Sequence, residues 1–176
     1  MNKLCISIRS LKRTEYLEQC LASLEANTDL EGVDFLFIQD GAVNPHSGNR
    51  YATQKEVEAS LKVFRNSNLP NKSVFVKEYN TGTSIHKELQ MDIIFPKYEY
   101  AILADNDLIF GRYYIKTVKT LFEQFKNSPA GMIQTSFKHT GYNFQKGKEA
   151  KQLEDKANVQ ADNIMSKAQA EVYKLK

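Results

Sequence analysis

Residues 100–107 read YAILADND, an apolar run followed directly by two aspartates that one residue separates. The run at 100–104 has the length and composition of a buried strand. Asp105 and Asp107 can bind one hard divalent cation together, because Mg²⁺ and Mn²⁺ prefer oxygen ligands. Solvated surface turns carry the same pattern by chance, so the neighbouring segments decide between the two interpretations.

Three further apolar segments precede this strand, and a helical pattern follows each of them. The predicted strands are 4–8, 33–38 and 73–79, with a candidate fifth strand at 132–135. Apolar residues recur at helical spacing at Leu17, Cys20, Leu21 and Leu24, at Val57, Leu61 and Phe64, at Ile85, Leu89 and Ile93, and at Ile115, Val118, Phe122 and Phe125. Thr53 and Glu56 form a capping-box pattern before the second helix. Strands that alternate with helices predict a largely parallel α/β sheet with both faces covered.

Polar side chains cluster where the predicted strands end. Ligands of such sheets bind at the carboxyl ends of the strands. The residues placed there are Arg9, Ser10, Lys12 and Arg13 after the first strand, Asp40 after the second, Asn80 after the third, and Asp105 and Asp107 after the fourth. Their convergence at one edge predicts a binding site.

Composition limits the classes of protein that fit. The chain has 176 residues, a net charge of +3 and 41% hydrophobic residues, which favours a folded chain and argues against a nucleic-acid binder that acts by bulk charge. No apolar run approaches the roughly 18–20 residues of a membrane span, and the N-terminus lacks a signal-peptide core. Two cysteines are too few for a disulfide framework, so we expect a cytoplasmic protein.

The composition changes near residue 148. Residues 149–176 hold five Lys and five acidic residues, so the whole net charge falls in 1–148. We therefore expect a domain at 1–148 and an amphipathic C-terminal helix at 149–176. The apolar stripe of this helix is thin and alanine-rich, so it could pack on the domain, on a partner, on a second copy in a homo-oligomer, or on a part of the protein absent from this chain.

Together these segments resemble nucleotide-sugar glycosyltransferases of the GT-A fold, family 2-like, over roughly residues 4–126. Asp105-Asn106-Asp107 resembles their DxD motif, and residues 5–24 resemble their first strand, a turn ending in Arg13 and the first helix. Residues 35–41 are similar to their second strand and its Asp-Asp-Gly motif, with Gln39 in place of the first Asp. Asn80-x-Gly82 is similar to the segment that precedes the DxD strand.

The resemblance implies a metal-dependent, hexosyltransferase-like enzyme. It would transfer a sugar from a nucleoside-diphosphate sugar to an unknown acceptor, which could be a glycan, a protein or a nucleic acid. Asp40 would hydrogen-bond the base, the turn from Ser10 to Arg13 would wrap the nucleoside with Arg13 reaching a phosphate, and Asn80 belongs to the same nucleotide-sugar-binding set. Lys87 could approach the diphosphate.

The resemblance also implies a site for Mn²⁺ or Mg²⁺. Asp107 would ligate the metal, Asp105 would lie near the ribose or the metal, and His139 could be a third ligand. Beyond residue 130 the likeness fades, and the weak candidates for a catalytic carboxylate are Glu154 and Asp155. The chain is short for such an enzyme with its own acceptor half, so it could be a minimal member, a truncated one, or a core that borrows its acceptor site.

Three other functions fit parts of the same sequence pattern. A haloacid-dehalogenase-type phosphatase also has Asp-x-Asp after a strand, but it needs later core residues for which too little chain follows. A nucleotidyltransferase shares the sheet and the metal, but it would be expected to have a Gly-rich loop where this chain has Ser10 to Arg13. A non-catalytic nucleotide-sugar-binding or assembly module is the third alternative.

Overall fold

The computed structural model of the protein describes residues 4–127. It contains four strands and four helices: β1 (Leu4–Ser10), α1 (Thr14–Glu25), β2 (Val33–Gln39), α2 (Gln54–Asn66), β3 (Lys72–Val76), α3 (Gly82–Ile94), β4 (Tyr100–Asp105) and α4 (Tyr114–Phe125). The strands form one parallel sheet in the order β3-β2-β1-β4. The predicted α/β class with a parallel sheet is confirmed.

The register of the sheet brings the strand ends to one edge. β1 lies between β2 and β4, with Ser10 opposite Gln39 and Arg9 opposite Asp105. Because all four strands are parallel, their carboxyl ends face the same way, and the segments that follow them meet there. The predicted convergence of polar residues therefore has a structural basis.

Successive side chains of β2 are buried on opposite faces of the sheet. Phe37 stacks on Phe64 of α2, with ring centroids 4.8 Å apart. Leu36 and Ile38 belong instead to a buried cluster with Ile94 of α3. Because successive strand residues point to opposite faces, α2 and α3 cover opposite sides of the sheet. The capping box at the start of α2 is confirmed, as is the apolar face predicted for α1.

The buried face of α3 differs from the prediction. The apolar residues at helical spacing are Ile85, Leu89 and Ile93, but the fully buried residues are His86, Gln90 and Ile94. Of the predicted set, Ile93 is partly buried and packs against the same cluster as Ile94. Ile85 is 55% exposed. The amide of Gln90 donates to the Ser7 carbonyl and hydroxyl oxygens, at 3.0 and 2.9 Å. The polar side chain of Gln90 can be buried because β1 beneath it supplies its hydrogen-bond partners.

The described residues divide into two compact units. One comprises residues 4–26 and 30–110 and holds the whole sheet, and the other comprises 27–29 and 111–127 and holds α4. Within the second unit, the Ile115 amide donates to the Asn27 side chain, and the Lys119 ammonium pairs with Asp29. The domain boundary predicted at residue 148 and the helix predicted at 149–176 lie outside the described residues. In the described part of the chain, no helix is both long and apolar enough to cross a membrane.

Gly41, directly after β2, is packed against another backbone segment. A Cβ atom at this position would lie 2.6 Å from the Tyr79 Cα and 2.7 Å from the Glu78 carbonyl oxygen. Such distances are shorter than real Cβ contacts, and backbone atoms cannot rotate away. The glycine is thus required by the close approach of the chain that leads from β3 to α3.

We expect Gly41→Ala to lower the free energy of unfolding by about 1–3 kcal/mol, because the added methyl forces these two segments apart. Urea unfolding followed by circular dichroism measures the change. Gly111→Ala is the matched control, because a Cβ there would meet nothing within 4 Å. Equal stability of both variants would contradict the close approach.

Candidate functional site

The turn after β1 and the end of β4 are joined by the middle residue of the Asp-x-Asp motif. The side-chain amide of Asn106 donates to the Ser10 hydroxyl oxygen at 2.9 Å and to the Lys12 carbonyl oxygen at 2.8 Å. Asn106 and Ser10 are 96 residues apart in sequence, so this contact fixes two distant elements to each other. No local pattern in the sequence points to this role of Asn106, because its partners become apparent only once the strands are paired.

Asp105 is held by Arg9 of the neighbouring strand. The guanidinium contacts both carboxylate oxygens, through Nε and through Nη2, and its Nη1 donates to the Thr83 carbonyl oxygen at 3.2 Å. A two-pronged arginine–carboxylate contact fixes orientation as well as charge. Arg9 therefore links β1, β4 and the first turn of α3.

Asp107 has a looser partner in Arg13. The Arg13 Nη1 lies 3.4 Å from an Asp107 oxygen, and the two side chains are 58% and 40% exposed. The Arg13 guanidinium also lies 5.9 Å from the Tyr16 ring centroid. Arg13 has a left-handed backbone, with φ of 71°, which is uncommon for a residue with a Cβ and is often found at functional sites.

The two aspartates fit a divalent cation only in part. Their oxygens are the right ligand type for Mg²⁺ or Mn²⁺, and Asp107 is half-buried and held by one long contact. Asp105 already has both oxygens on Arg9. Within residues 4–127, no group of three or more His, Cys, Asp or Glu side chains is placed to hold a metal ion. His139 and the candidates Glu154 and Asp155 lie outside the described residues.

Asp40 is buried at the end of β2, with 4% of its surface exposed. One oxygen accepts from the Gly41 amide at 3.0 Å and pairs with the Lys77 ammonium at 2.8 Å. The other accepts from the Asn80 amide at 3.0 Å and lies 3.4 Å from His86 Nδ1. Burial alone would raise the pKa of Asp40, but the hydrogen bonds from His86 and Lys77 outweigh it and hold the pKa below its ordinary value.

This network occupies the acceptor capacity of Asp40. An ionised carboxylate offers about four lone-pair sites, and the four donors around Asp40 use them. The predicted bond from Asp40 to a base therefore requires one of these donors to leave, and it stays a prediction. The role of Asn80 in nucleotide binding also stays a prediction. The Asn80 side-chain oxygen already accepts from the Gly82 amide at 3.1 Å, at the start of α3.

Gln39 has a role that an aspartate could not fill. Its amide nitrogen donates to the Leu11 carbonyl oxygen at 2.8 Å and to the Asp40 carbonyl oxygen at 3.0 Å, which ties the turn after β1 to the end of β2. A carboxylate has no N–H to donate. The Gln39 Oε1 atom and the His86 Nε2 atom are buried without a hydrogen-bond partner among the described residues. Lys87 is exposed beside His86, and its predicted contact with a diphosphate stays a prediction.

We expect Asp40→Asn to lower the free energy of unfolding by about 3–5 kcal/mol, because it leaves the buried Lys77 ammonium without its counter-ion. The double variant Asp40→Asn/Lys77→Met should recover part of this loss. Asp92→Asn, on an exposed position of α3, is the matched control and should change stability by less than about 0.5 kcal/mol. Urea unfolding at pH 7 measures all three, and an unaltered Asp40→Asn variant would contradict the network.

The pH dependence has a definite sign. Because the pKa of Asp40 is lowered in the folded state, its ionised form stabilises the fold at pH values above the ordinary 3.8. This contribution is lost as the pH falls through the lower, folded-state pKa. Unfolding curves between pH 7 and pH 2 should therefore show a smaller acid-induced loss for Asp40→Asn than for the wild type. Identical slopes would show that Asp40 has no lowered pKa.

Comparisons with solved structures agree on the fold. No protein-family model matches the sequence, and no curated protein matches it at a significant level. S. aureus TarS matches at 15% identity with a TM-score of 0.54, over 78% of this chain and 24% of TarS. TarS 1–349 in complex with UDP-GlcNAc matches at 15% identity with a TM-score of 0.54, over 78% of this chain and 38% of that one.

A third structure is more distant. The mannosyltransferase PcManGT from Pyrobaculum calidifontis, in complex with GDP-Man and Mn²⁺, matches at 7% identity with a TM-score of 0.47, over 61% of this chain and 28% of that one. This likeness is too low to support an argument. The chain spans less than half the length of the structures that it matches. The neighbours are glycosyltransferases, and at 15% identity the likeness establishes the fold alone: the chain has the Rossmann-like α/β architecture of the GT-A fold.

Proposed function

We propose that the protein is a metal-dependent glycosyltransferase that uses a nucleoside-diphosphate sugar as donor. The observation that carries this proposal is the joining of the Asp-x-Asp motif to the turn after β1, through Asn106 and its bonds to Ser10 and Lys12. This contact gathers carboxylates, arginines and a turn at the edge where parallel sheets bind their ligands. The GT-A-like fold and the UDP-GlcNAc complex of a structural neighbour support the same donor class.

The charged residues of the edge suit a nucleoside diphosphate. Asp107 would be the principal ligand of Mn²⁺ or Mg²⁺, with Asp105 beside it, and Arg13 would turn from Asp107 to a phosphate. The bound metal would neutralise the diphosphate as it leaves. Ser10, Asn80 and Lys87 belong to the proposed nucleotide-binding set.

The acceptor side of the reaction stays a prediction. Displacement at the anomeric carbon needs an acceptor hydroxyl held close to that carbon. The carboxylates proposed to serve it, Glu154 and Asp155, lie outside the described residues. The acceptor, a homo-oligomer through the C-terminal helix and a cytoplasmic location are likewise predictions.

A thermal-shift panel tests the donor site. UDP-, GDP-, CDP- and TDP-sugars are added with and without Mn²⁺ to the wild type, to Asp107→Asn and to the control Asp92→Asn. We expect one nucleotide to stabilise the wild type and the control in Mn²⁺, by about 2.7 kcal/mol at a concentration 100 times its Kd. Asp107→Asn should lose most of this shift. If no nucleotide stabilises the wild type, the donor-site proposal is wrong.

Turnover separates an enzyme from a binding module. An enzyme releases free nucleoside diphosphate from the donor that the panel identifies, and the rate falls in Asp107→Asn. A nucleotide-sugar-binding module binds the donor and releases nothing. Release of pyrophosphate from a nucleoside triphosphate would instead indicate a nucleotidyltransferase.

Arg13 provides a test that separates function from stability. Arg13→Gly should leave the free energy of unfolding within about 1 kcal/mol of the wild type, because relief of the left-handed backbone offsets the lost exposed ion pair. The same variant should bind the nucleotide roughly tenfold more weakly, which corresponds to about 1.4 kcal/mol. Calorimetric titration and urea unfolding measure the two effects.

Arg13→Ala is the control for the backbone at this position. It removes the same side chain but keeps a Cβ in the left-handed conformation, so it should lose affinity equally and be less stable than Arg13→Gly. Wild-type affinity in both variants would show that Arg13 takes no part in nucleotide binding.

A further inference from the structure

The two aspartates of the motif differ in how they are held. Arg9 contacts both oxygens of Asp105 and also the Thr83 carbonyl oxygen, so it is anchored on three elements. Its side chain is 22% exposed, against 58% for Arg13. Asp107 has one contact of 3.4 Å to an exposed partner. Arg13 can therefore leave at low cost, whereas Arg9 is fixed in place.

The charges of the two motif aspartates and their two arginine partners balance before any ligand arrives. Two arginines face two aspartates, so a divalent cation approaching alone meets a locally neutral edge. The Arg9 charge repels that cation, and the Arg9 guanidinium already contacts both carboxylate oxygens of Asp105. Arg9 attracts an incoming diphosphate instead, because it adds a positive charge that is already oriented.

We propose that Arg9 is a built-in counter-ion of the donor edge: it holds Asp105 in place of a metal and adds a fixed positive charge beside the diphosphate. The inference has two parts: weak binding of Mn²⁺ in the presence of Arg9 is its metal arm, and attraction of the diphosphate by Arg9 is its nucleotide arm. The nucleotide arm rests on the proposed function, and the metal arm does not. In the absence of nucleotide, the edge then binds Mn²⁺ weakly, and the fixed charge of Arg9 favours binding of the nucleotide. Arg9 acts as a positioning residue through Asp105 and the first turn of α3.

Titration of Mn²⁺ alone, followed by the electron paramagnetic resonance signal of free Mn²⁺, tests the metal arm. Arg9→Gln should bind Mn²⁺ roughly tenfold more tightly than the wild type, because one repelling charge is removed and Asp105 is released. Arg65→Gln removes the same charge from an exposed position of α2 and should bind as the wild type does. A merely structural Arg9 predicts weaker Mn²⁺ binding in Arg9→Gln. Unchanged, weaker or undetectable binding by this variant would overturn the proposal.

The double variant Arg9→Gln/Asp105→Asn keeps the test decisive even if Arg9→Gln alone does not fold. It restores the charge balance of the wild type with two side chains that can still hydrogen-bond each other. Its Mn²⁺ affinity should therefore lie within roughly threefold of the wild-type value. Loss of Mn²⁺ binding in the double variant would show that Asp105 is itself a metal ligand, and the proposal would fail.

Calorimetric titration of UDP and of GDP in EDTA tests the nucleotide arm. Whichever of them binds the wild type should bind Arg9→Gln roughly tenfold more weakly, and Arg65→Gln equally well. Equal affinity of Arg9→Gln and the wild type would overturn the role of Arg9 beside the diphosphate. Nucleotide binding by the wild type only in the presence of Mn²⁺ would likewise overturn that role. If neither nucleotide binds the wild type, even with Mn²⁺, the failure lies in the proposed function, and the Mn²⁺ titration still decides the metal arm.

Discussion

The buried carboxylate of Asp40 determines how the carboxyl edge of the sheet is built. A buried charge is tolerated only when it is paired and fully hydrogen-bonded. Three of the donors to Asp40, Lys77, Asn80 and His86, come from the segment between β3 and the second turn of α3. The approach of this stretch to Gly41 adds a steric constraint to the electrostatic one. The start of α3 is thereby fixed against the end of β2.

The same constraint reaches the motif at the end of β4. Once the first turn of α3 is fixed, its Thr83 carbonyl oxygen is in place to accept from Arg9, and Arg9 in turn orients Asp105. Asn106 joins the motif to the turn after β1 through its bonds to Ser10 and Lys12. The result is an edge with one rigid aspartate and one that is loosely held, which suits a site where a phosphate and a cation must enter together.

Much of this arrangement follows from sequence patterns, and the rest depends on distant pairings. Apolar runs and helical spacing located the strands and α1, and parallel strands had to bring Asp40 and Asp105 to one edge. The buried face of α3 could not be predicted, because Gln90 is buried by its bonds to Ser7, 83 residues away. The pairing of Arg9 with Asp105 depends on the register of β1 and β4, which no local pattern encodes.

The central claim is that the edge around Asp107 binds a nucleoside diphosphate together with a divalent cation. Anomalous scattering from co-crystals grown with Mn²⁺ and UDP, or with GDP if only GDP binds, tests it most directly. The account predicts a Mn²⁺ peak at about 2.1 Å from an Asp107 oxygen, the distance usual for a small divalent cation, with the diphosphate on its other side. A peak elsewhere, or a nucleotide bound away from the end of β4, would contradict it.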